Sequence, residues 1–246
     1  MTLEQVYAEM FAIFCQYTNE KEVFLNRLKK ILEKIPNCSM LDIGAGNGEL
    51  AIPLSGMVQR YRAVESNPDH CQILREAGLE VIESAFPCAV MGEEYNVVLI
   101  SHSLPTNRAE RARFVRHAYN LVRIGGVLVI LTFKDQGTDW SILLDECGMS
   151  WEPMHEGGLN LFKDDLALMN KGGKNRVEHL KTYVTGKEPA EIAKALAFVY
   201  SNGDQKRLQE FLRNAGVLDI LRTRYSNEKK KVYAFPFEHV LYIVGK

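Results

Sequence analysis

Apolar residues recur at three- and four-residue steps along the first 35 positions. Tyr7, Phe11, Phe14 and Tyr17 fall on one face, and Phe24, Leu25, Leu28, Leu32 and Ile35 continue a stripe after Asn19-Glu20. That spacing predicts helix over residues 3–35, and Pro36-Asn37-Cys38-Ser39 interrupts it. Short apolar runs then alternate with helical patterns to about residue 134. Strands are predicted at Ser39–Ile43, Tyr61–Glu65, Glu80–Ile82, Asn96–Ser101 and Val127–Phe133, the last entered through Gly125-Gly126. Helices are predicted at Glu49–Val58, Asn67–Ala77 and Arg108–Val122. Pro53 is awkward inside the first of these unless it lies in the first turn, whereas Pro68 suits the start of the second. Strands alternating with helices predict an α/β fold, a doubly wound and mostly parallel sheet with both faces covered.

Residues 135–216 have another texture. Gly157-Gly158, Gly172-Gly173, Gly186 and Gly203 punctuate short helical patterns such as Asp164–Met169 and Pro189–Tyr200. This predicts a helical insertion over the carboxyl edge of the sheet, suited to a lid. The tail reads as strand again: Val217–Tyr225, a charged turn at Asn227–Lys231, then Val232–Val244, a closing hairpin. The expected organisation is an N-terminal helical extension (1–36), a core (37–134), the insertion (135–216) and a hairpin completing the sheet (217–246).

Composition narrows the function classes. The formal net charge is -1, with 46% hydrophobic and 25% charged residues, as in ordinary soluble domains. No overall basic field favours nucleic acid. Cys15, Cys38, Cys71, Cys88 and Cys147 are odd in number and lack a C-x-x-C spacing, which predicts reduced thiols and a cytoplasmic setting. No apolar stretch is long enough for a bilayer span, and no secretory leader pattern opens the chain. No membrane partner and no metal site are expected, and the oligomeric state is left open.

The chemistry concentrates in Met40-Leu41-Asp42-Ile43-Gly44-Ala45-Gly46-Asn47-Gly48-Glu49-Leu50. An apolar run ends in an acid, followed by three glycines at alternate positions. Glycine permits a tight turn after a strand and close approach of a ligand to the backbone. About 20 residues on, Ala63-Val64-Glu65 ends a second apolar run in a carboxylate, the position that binds ribose hydroxyls in doubly wound folds.

This pair resembles motif I and the following acidic motif of class I S-adenosylmethionine (SAM)-dependent methyltransferases. The dinucleotide pattern G-x-G-x-x-G is the rival, but here the third glycine comes one place early. Leu121-Val122-Arg123-Ile124-Gly125-Gly126-Val127-Leu128 resembles the family's turn into its fifth strand, with Ile124 where proline is usual. Tyr95–Ser103 resembles its fourth strand and motif IV, with Asn96 where Asp is common. The resemblance covers roughly residues 37–134 and 217–246 and implies a Rossmann-like, seven-stranded sheet and SAM as cofactor. A looser resemblance, over most of the chain, is to histamine N-methyltransferase, through Thr18-Asn19-Glu20, Gly48-Glu49, Gly137-Thr138-Asp139-Trp140, Phe162-Lys163-Asp164-Asp165-Leu166 and the stretch from Lys231-Val232-Tyr233 to Leu241-Tyr242-Ile243-Val244. It implies a small-molecule acceptor without specifying the amine.

The resemblance assigns roles. Gly44, Ala45, Gly46 and Gly48 line the methionine and ribose portion, Asp42 supports the loop or the ammonium, and Glu65 takes the ribose hydroxyls. Ser66 and Asn67 lie near adenine, Ser84, Ala85 and Phe86 flank it, and Ser101, His102 and Leu104 emerge from the fourth strand at the ligand-binding edge. His102 is the catalytic candidate, since imidazole exchanges protons near neutrality. Tyr7, Phe11, Glu20 and Trp140 are candidates for binding the acceptor. Blander roles stand beside these: a turn cap for Asp42, a solvated strand end for Glu65, a structural hydrogen bond for His102, a solvated helix face for Glu20 and lobe packing for Tyr7, Phe11 and Trp140. Pro87-Cys88 mimics the nucleophile of cytosine-C5 methyltransferases but precedes the fourth strand, which favours a structural thiol. Glu228-Lys229-Lys230-Lys231 reads as a solvated hairpin tip. The leading expectation is methyl transfer to nitrogen or oxygen of a small molecule. RNA or protein methylation, a noncatalytic SAM-binding module and a nicotinamide oxidoreductase are the alternatives.

Overall fold

Alternation along the predicted strands decides which side chains meet which helices. The computed structural model describes residues 3–87, 92–134, 136–150, 175–201, 204–227 and 231–246 (backbone alone for residues 3–8). These residues form two units. One comprises residues 3–20, 136–150, 181–201, 204–227 and 231–238, and the other residues 21–87, 92–134, 175–180 and 239–246. Strand β6 spans Asn175–Gly186 and strand β8 spans Val232–Gly245.

The second unit carries the parallel sheet. Its strands are β1 (Ser39–Ile43), β2 (Arg60–Glu65), β3 (Glu80–Glu83), β4 (Tyr95–Ser101) and β5 (Val122–Phe133), in the order β3-β2-β1-β4-β5-β8-β6. β1 to β5 pair in parallel, and β8 runs antiparallel to β5 from Phe133↔His239 to Val127↔Gly245. The fold class is therefore the expected one, a doubly wound, mostly parallel sheet. With β6 and the short β7 (Ser226–Asn227, paired to β8), the sheet has eight strands among the described residues.

Successive strand residues point to opposite faces. On one face Leu41, Ile43, Val98, Ile100, Leu128 and Ile130 pack on α5 (Arg108–Asn120) through Phe114, Val115 and Ala118. On the other, Met40, Ala63, Val97, Leu99 and Val129 meet α2 (Glu20–Leu32), α3 (Ala51–Ser55) and α4 (Pro68–Glu76) through Phe24, Leu28, Leu54 and Leu74. Pro53 lies in the first turn of α3, where its missing N–H costs nothing. Asn67 caps α4, accepting from the N–H groups of Asp69 and His70.

The first unit holds α1 (Leu3–Tyr17), α6 (Asp139–Glu146), α7 (Pro189–Ser201), α8 (Gln205–Arg213) and α9 (Ala215–Arg224). The expected single helix over 3–35 is two, because the chain breaks at Thr18-Asn19. There Thr18 bridges Val184, Asn19 N–H donates to the Tyr183 carbonyl, and the Thr18 hydroxyl accepts from Glu20 N–H. Two further expectations are corrected. Residues 217–224 are helix rather than strand: Asn214 caps the start of α9, and the buried pair Val217 and Leu221 stands four apart, the helical period that a dense apolar run concealed. The insertion also contains strand β6, in which Thr182 and Val184 are buried in alternation with exposed neighbours. The pattern at Asp164–Met169, the paired glycines 157–158 and 172–173, Cys88 and most of the lysine turn lie outside the described residues. No described helix is long and apolar enough to cross a membrane.

Candidate functional site

The carboxyl ends of β1, β2 and β4 converge in the second unit. The register pairs Asp42 with Ala63 on one side and Leu99 on the other, so period-two alternation places Asp42, Tyr61, Glu65 and Ser101 on one face. This is the face that α2 covers.

The glycine loop follows β1. Gly44 N–H donates to the Val64 carbonyl at 2.8 Å, which turns the chain back over β2. Gly44, Gly46 and Gly48 all have positive φ, at 77°, 59° and 92°, a region side chains rarely adopt. The reasons differ. A Cβ on Gly44 would lie 2.4 Å from Ser103 Cβ, so Gly44 is required by the close approach of the chain after β4. A Cβ on Gly46 would meet nothing within 4 Å, so its surroundings are open. Ser103 completes the junction by donating its hydroxyl to the Ile43 carbonyl at 2.6 Å.

Glu65 organises this loop. One carboxylate oxygen accepts from Gly46 N–H at 2.8 Å, and the other accepts from Ser66 and Asn67 N–H at 2.8 and 2.9 Å. Charge-assisted bonds of this kind are among the stronger ones in proteins. The Glu65 carbonyl accepts from Ser84 N–H, which carries the turn after β3 alongside the same site. Phe86 in that turn packs edge-on against Phe114, with ring centroids 4.8 Å apart, while Ala85 is exposed.

Two buried polar atoms at this edge, Asp42 Oδ1 and Ser101 Oγ, have no hydrogen-bond partner among the described residues. Asp42 Oδ2 accepts from the Tyr61 hydroxyl at 2.5 Å. Burial pushes the Asp42 carboxyl up to about 6, partly offset by the Tyr61 hydrogen bond, with Glu65 raising it and Lys21 lowering it. Burial likewise drives the Tyr61 phenol well above its ordinary value. Buried polar atoms are ordinarily satisfied, so an edge that leaves two of them open invites a polar ligand.

Beyond Ser101, His102 adopts φ 54° and donates its N–H to the Leu131 carbonyl. Its ring lies 4.5 Å from Phe133, 5.6 Å from Phe24 and 5.6 Å from His239, centroid to centroid. His239 is wholly buried, 4.8 Å from both Phe24 and Phe133. Two imidazoles thus sit between two phenyl rings at the same edge of the sheet.

The structure brings Asp42, Gly44, Ala45, Gly46, Gly48, Glu65, Ser66, Asn67, Ser84, Ser101 and His102 to that edge. In the first unit, Trp140 is buried and packs on Phe211, Phe235 and Phe237, and Phe11 packs on Phe198. Trp140 thus belongs to that unit's aromatic core, while Phe11 is half-buried. Glu20 is buried at the first position of α2, and Tyr7 lies on α1 with its side chain outside the described residues. Sequence reasoning missed Tyr61, Ser103 and His239. Tyr61 stands two and four positions before Ala63 and Glu65, and His239-x-Leu241-x-Ile243 alternates, so period-two reading would have placed both on the site's face.

No protein-family model matches this chain. No curated protein matches its sequence. Solved structures share its fold. The YcgJ protein from Bacillus subtilis is 13% identical, with a TM-score of 0.59 over 90% of this chain and 97% of its own. The plantazolicin methyltransferase BpumL, solved with a pentazolic desmethylPZN analog and S-adenosylhomocysteine (SAH), is 11% identical with a TM-score of 0.56 over 97% and 91% of the two chains. Magnesium protoporphyrin IX methyltransferase from Synechocystis PCC 6803, solved with bound SAH, is 12% identical with a TM-score of 0.55 over 92% and 83%. At these identities the likeness establishes a Rossmann-like fold shared with methyltransferases.

Proposed function

We propose that this chain is a SAM-dependent methyltransferase that transfers a methyl group to nitrogen or oxygen of a small molecule. The carrying observation is the junction of β1 and β2: a glycine loop, open at Gly46 and tied there to Glu65, with the orphaned Asp42 Oδ1 buried at the same edge. These residues fit a nucleoside joined to an amino acid. Glu65 would take the ribose hydroxyls, the loop backbone would approach the ligand without side-chain obstruction, and Asp42 Oδ1 would face the ammonium. Ser84, Ala85 and Phe86 would flank the adenine. When bound, SAM supplies an electrophilic methyl on a good leaving group, so the protein's share is to align the acceptor and exclude water.

For the acceptor, His102 at the end of β4 is the residue we assign to accepting its proton, with Phe24 and Phe133 as apolar walls. The near-neutral charge supports a small molecule over RNA. Calorimetric titration with SAH, repeated on Glu65→Ala, tests the cofactor assignment. Micromolar binding that weakens at least tenfold in the variant supports it, and no binding to folded wild type overturns it.

A further inference from the structure

The Asp42 carboxyl presents a chemical dilemma that its surroundings leave open. It is 2% exposed, one oxygen accepts the Tyr61 hydroxyl at 2.5 Å, and the other has no partner among the described residues. If the group is ionised, Oδ1 holds charge with no donor. If it is protonated there, a buried O–H lacks an acceptor. Either state costs free energy for an unmet polar group. A cation at Oδ1 removes the cost, and so, less completely, does a proton.

Resting on the cofactor reading above, we propose that Asp42 and Tyr61 make the amino-acid end of the pocket proton-linked: a ligand ammonium and a proton compete for Asp42 Oδ1, and Tyr61 sets the pH at which one displaces the other. Tyr61 is then a positioning residue that acts through Asp42 and favours ligands carrying an α-ammonium over the bare nucleoside. The hydroxyl donates to Oδ2, which holds the carboxyl in place and stabilises its charged form. Tyr61 is locked in turn, because it lies inside β2 opposite Met40 and is itself buried.

Charged groups among the described residues act on Asp42 from two elements. Glu65, on the same face of β2, disfavours its ionisation, and Lys21, at the start of α2, favours it. In the parallel register its neighbours on β2 and β4 are Ala63 and Leu99, which carry no charge. Asp42 ionises at about 6 in the free protein, so competition between proton and ammonium falls in an accessible range. Binding of an α-ammonium below that pH expels one proton to solvent. Affinity therefore falls as pH drops through about 6.

The test is calorimetric titration of the whole chain between pH 5 and pH 7.5 with two probes. SAH carries the α-ammonium, and 5′-methylthioadenosine offers the same nucleoside and thioether without it. SAH should weaken about tenfold between pH 7.5 and pH 5, as one competing proton requires, while 5′-methylthioadenosine stays level. Asp42→Asn should bind SAH weakly and independently of pH. Tyr61→Phe should move the midpoint of the SAH profile upward, because the bond that favours the carboxylate is lost. Circular dichroism at each pH confirms that every variant is folded. Parallel profiles for the two probes, or an unmoved midpoint in Tyr61→Phe, overturn this inference while leaving the cofactor assignment standing. Failure of both probes to bind at every pH overturns the cofactor assignment and this inference with it.

Discussion

Glu65 at the tip of β2 accepts the Gly46 N–H at 2.8 Å across the turn that follows β1. The carboxylate proposed to take the ribose hydroxyls thus also holds the loop that ribose would approach. In that reading fold and recognition share one carboxylate.

Replacing that carboxylate should affect both properties. Glu65→Ala leaves the N–H groups of Gly46, Ser66 and Asn67 without their acceptor. Loss of such bonds at a nearly buried site should lower stability by about 1–3 kcal/mol and SAH affinity by tenfold or more. Thermal unfolding alongside titration measures the two separately. A variant with unchanged melting and unchanged affinity would sink the shared role.

Gly44→Ala should damage the junction of β1 and β4. Its Cβ would lie 2.4 Å from Ser103 Cβ at a φ of 77°. Overpacking and backbone strain together should cost about 2–4 kcal/mol. Gly46→Ala, with the same backbone strain but open space around its Cβ, should cost less. Denaturant unfolding of the pair resolves the ranking, and equal losses would contradict the close approach of Ser103.

The buried acid predicts an unusual pH dependence of stability. Asp42 rises from 3.8 to about 6 on folding, so between these values the native state binds more protons than the unfolded chain. Stability then falls as pH rises through that window. The contribution is on the order of 3 kcal/mol, at 1.36 kcal/mol per pKa unit. Asp42→Asn should flatten this part of the profile and melt higher than wild type above pH ~6, while losing affinity for SAH. Unfolding curves from pH 4 to 8 provide the check, and a variant that tracks wild type in slope would refute the burial cost.

His102 should separate chemistry from cofactor binding. His102→Asn preserves a residue type that tolerates positive φ but removes the imidazole. With an acceptor identified by screening amines and hydroxylated compounds for SAH release, turnover should fall by about 10²–10⁴ and SAH affinity should change little. His239→Gln, changing a buried ring 4.8 Å from Phe24 and Phe133, should lower turnover by a smaller factor. Full turnover in His102→Asn would remove it from the mechanism.

Local signals determined the parallel sheet and its loop. β1 was legible to the residue because an apolar run ended at a glycine turn, and α4 because Asn67 and Pro68 mark a helix start regardless of surroundings. The association of Asp42, Gly44–Gly48 and Glu65 was also readable, since adjacent strands in a doubly wound sheet bring their carboxyl ends together. Other features depended on partners distant in sequence. Thr18 breaks the first helix by bridging Val184, more than 160 positions away. Val217–Leu221 is helical because Asn214 caps it and its own core buries every fourth residue, a choice its dense apolar run left open. His239 joins His102 only because β8 pairs antiparallel with β5 in one register, Phe133 opposite His239. The Tyr61–Asp42 bond likewise required the register of β1 on β2. Spacing along the chain sets which residues can share a face, but burial and strand register, which are properties of the assembled sheet, decide which of them meet and what charge they hold.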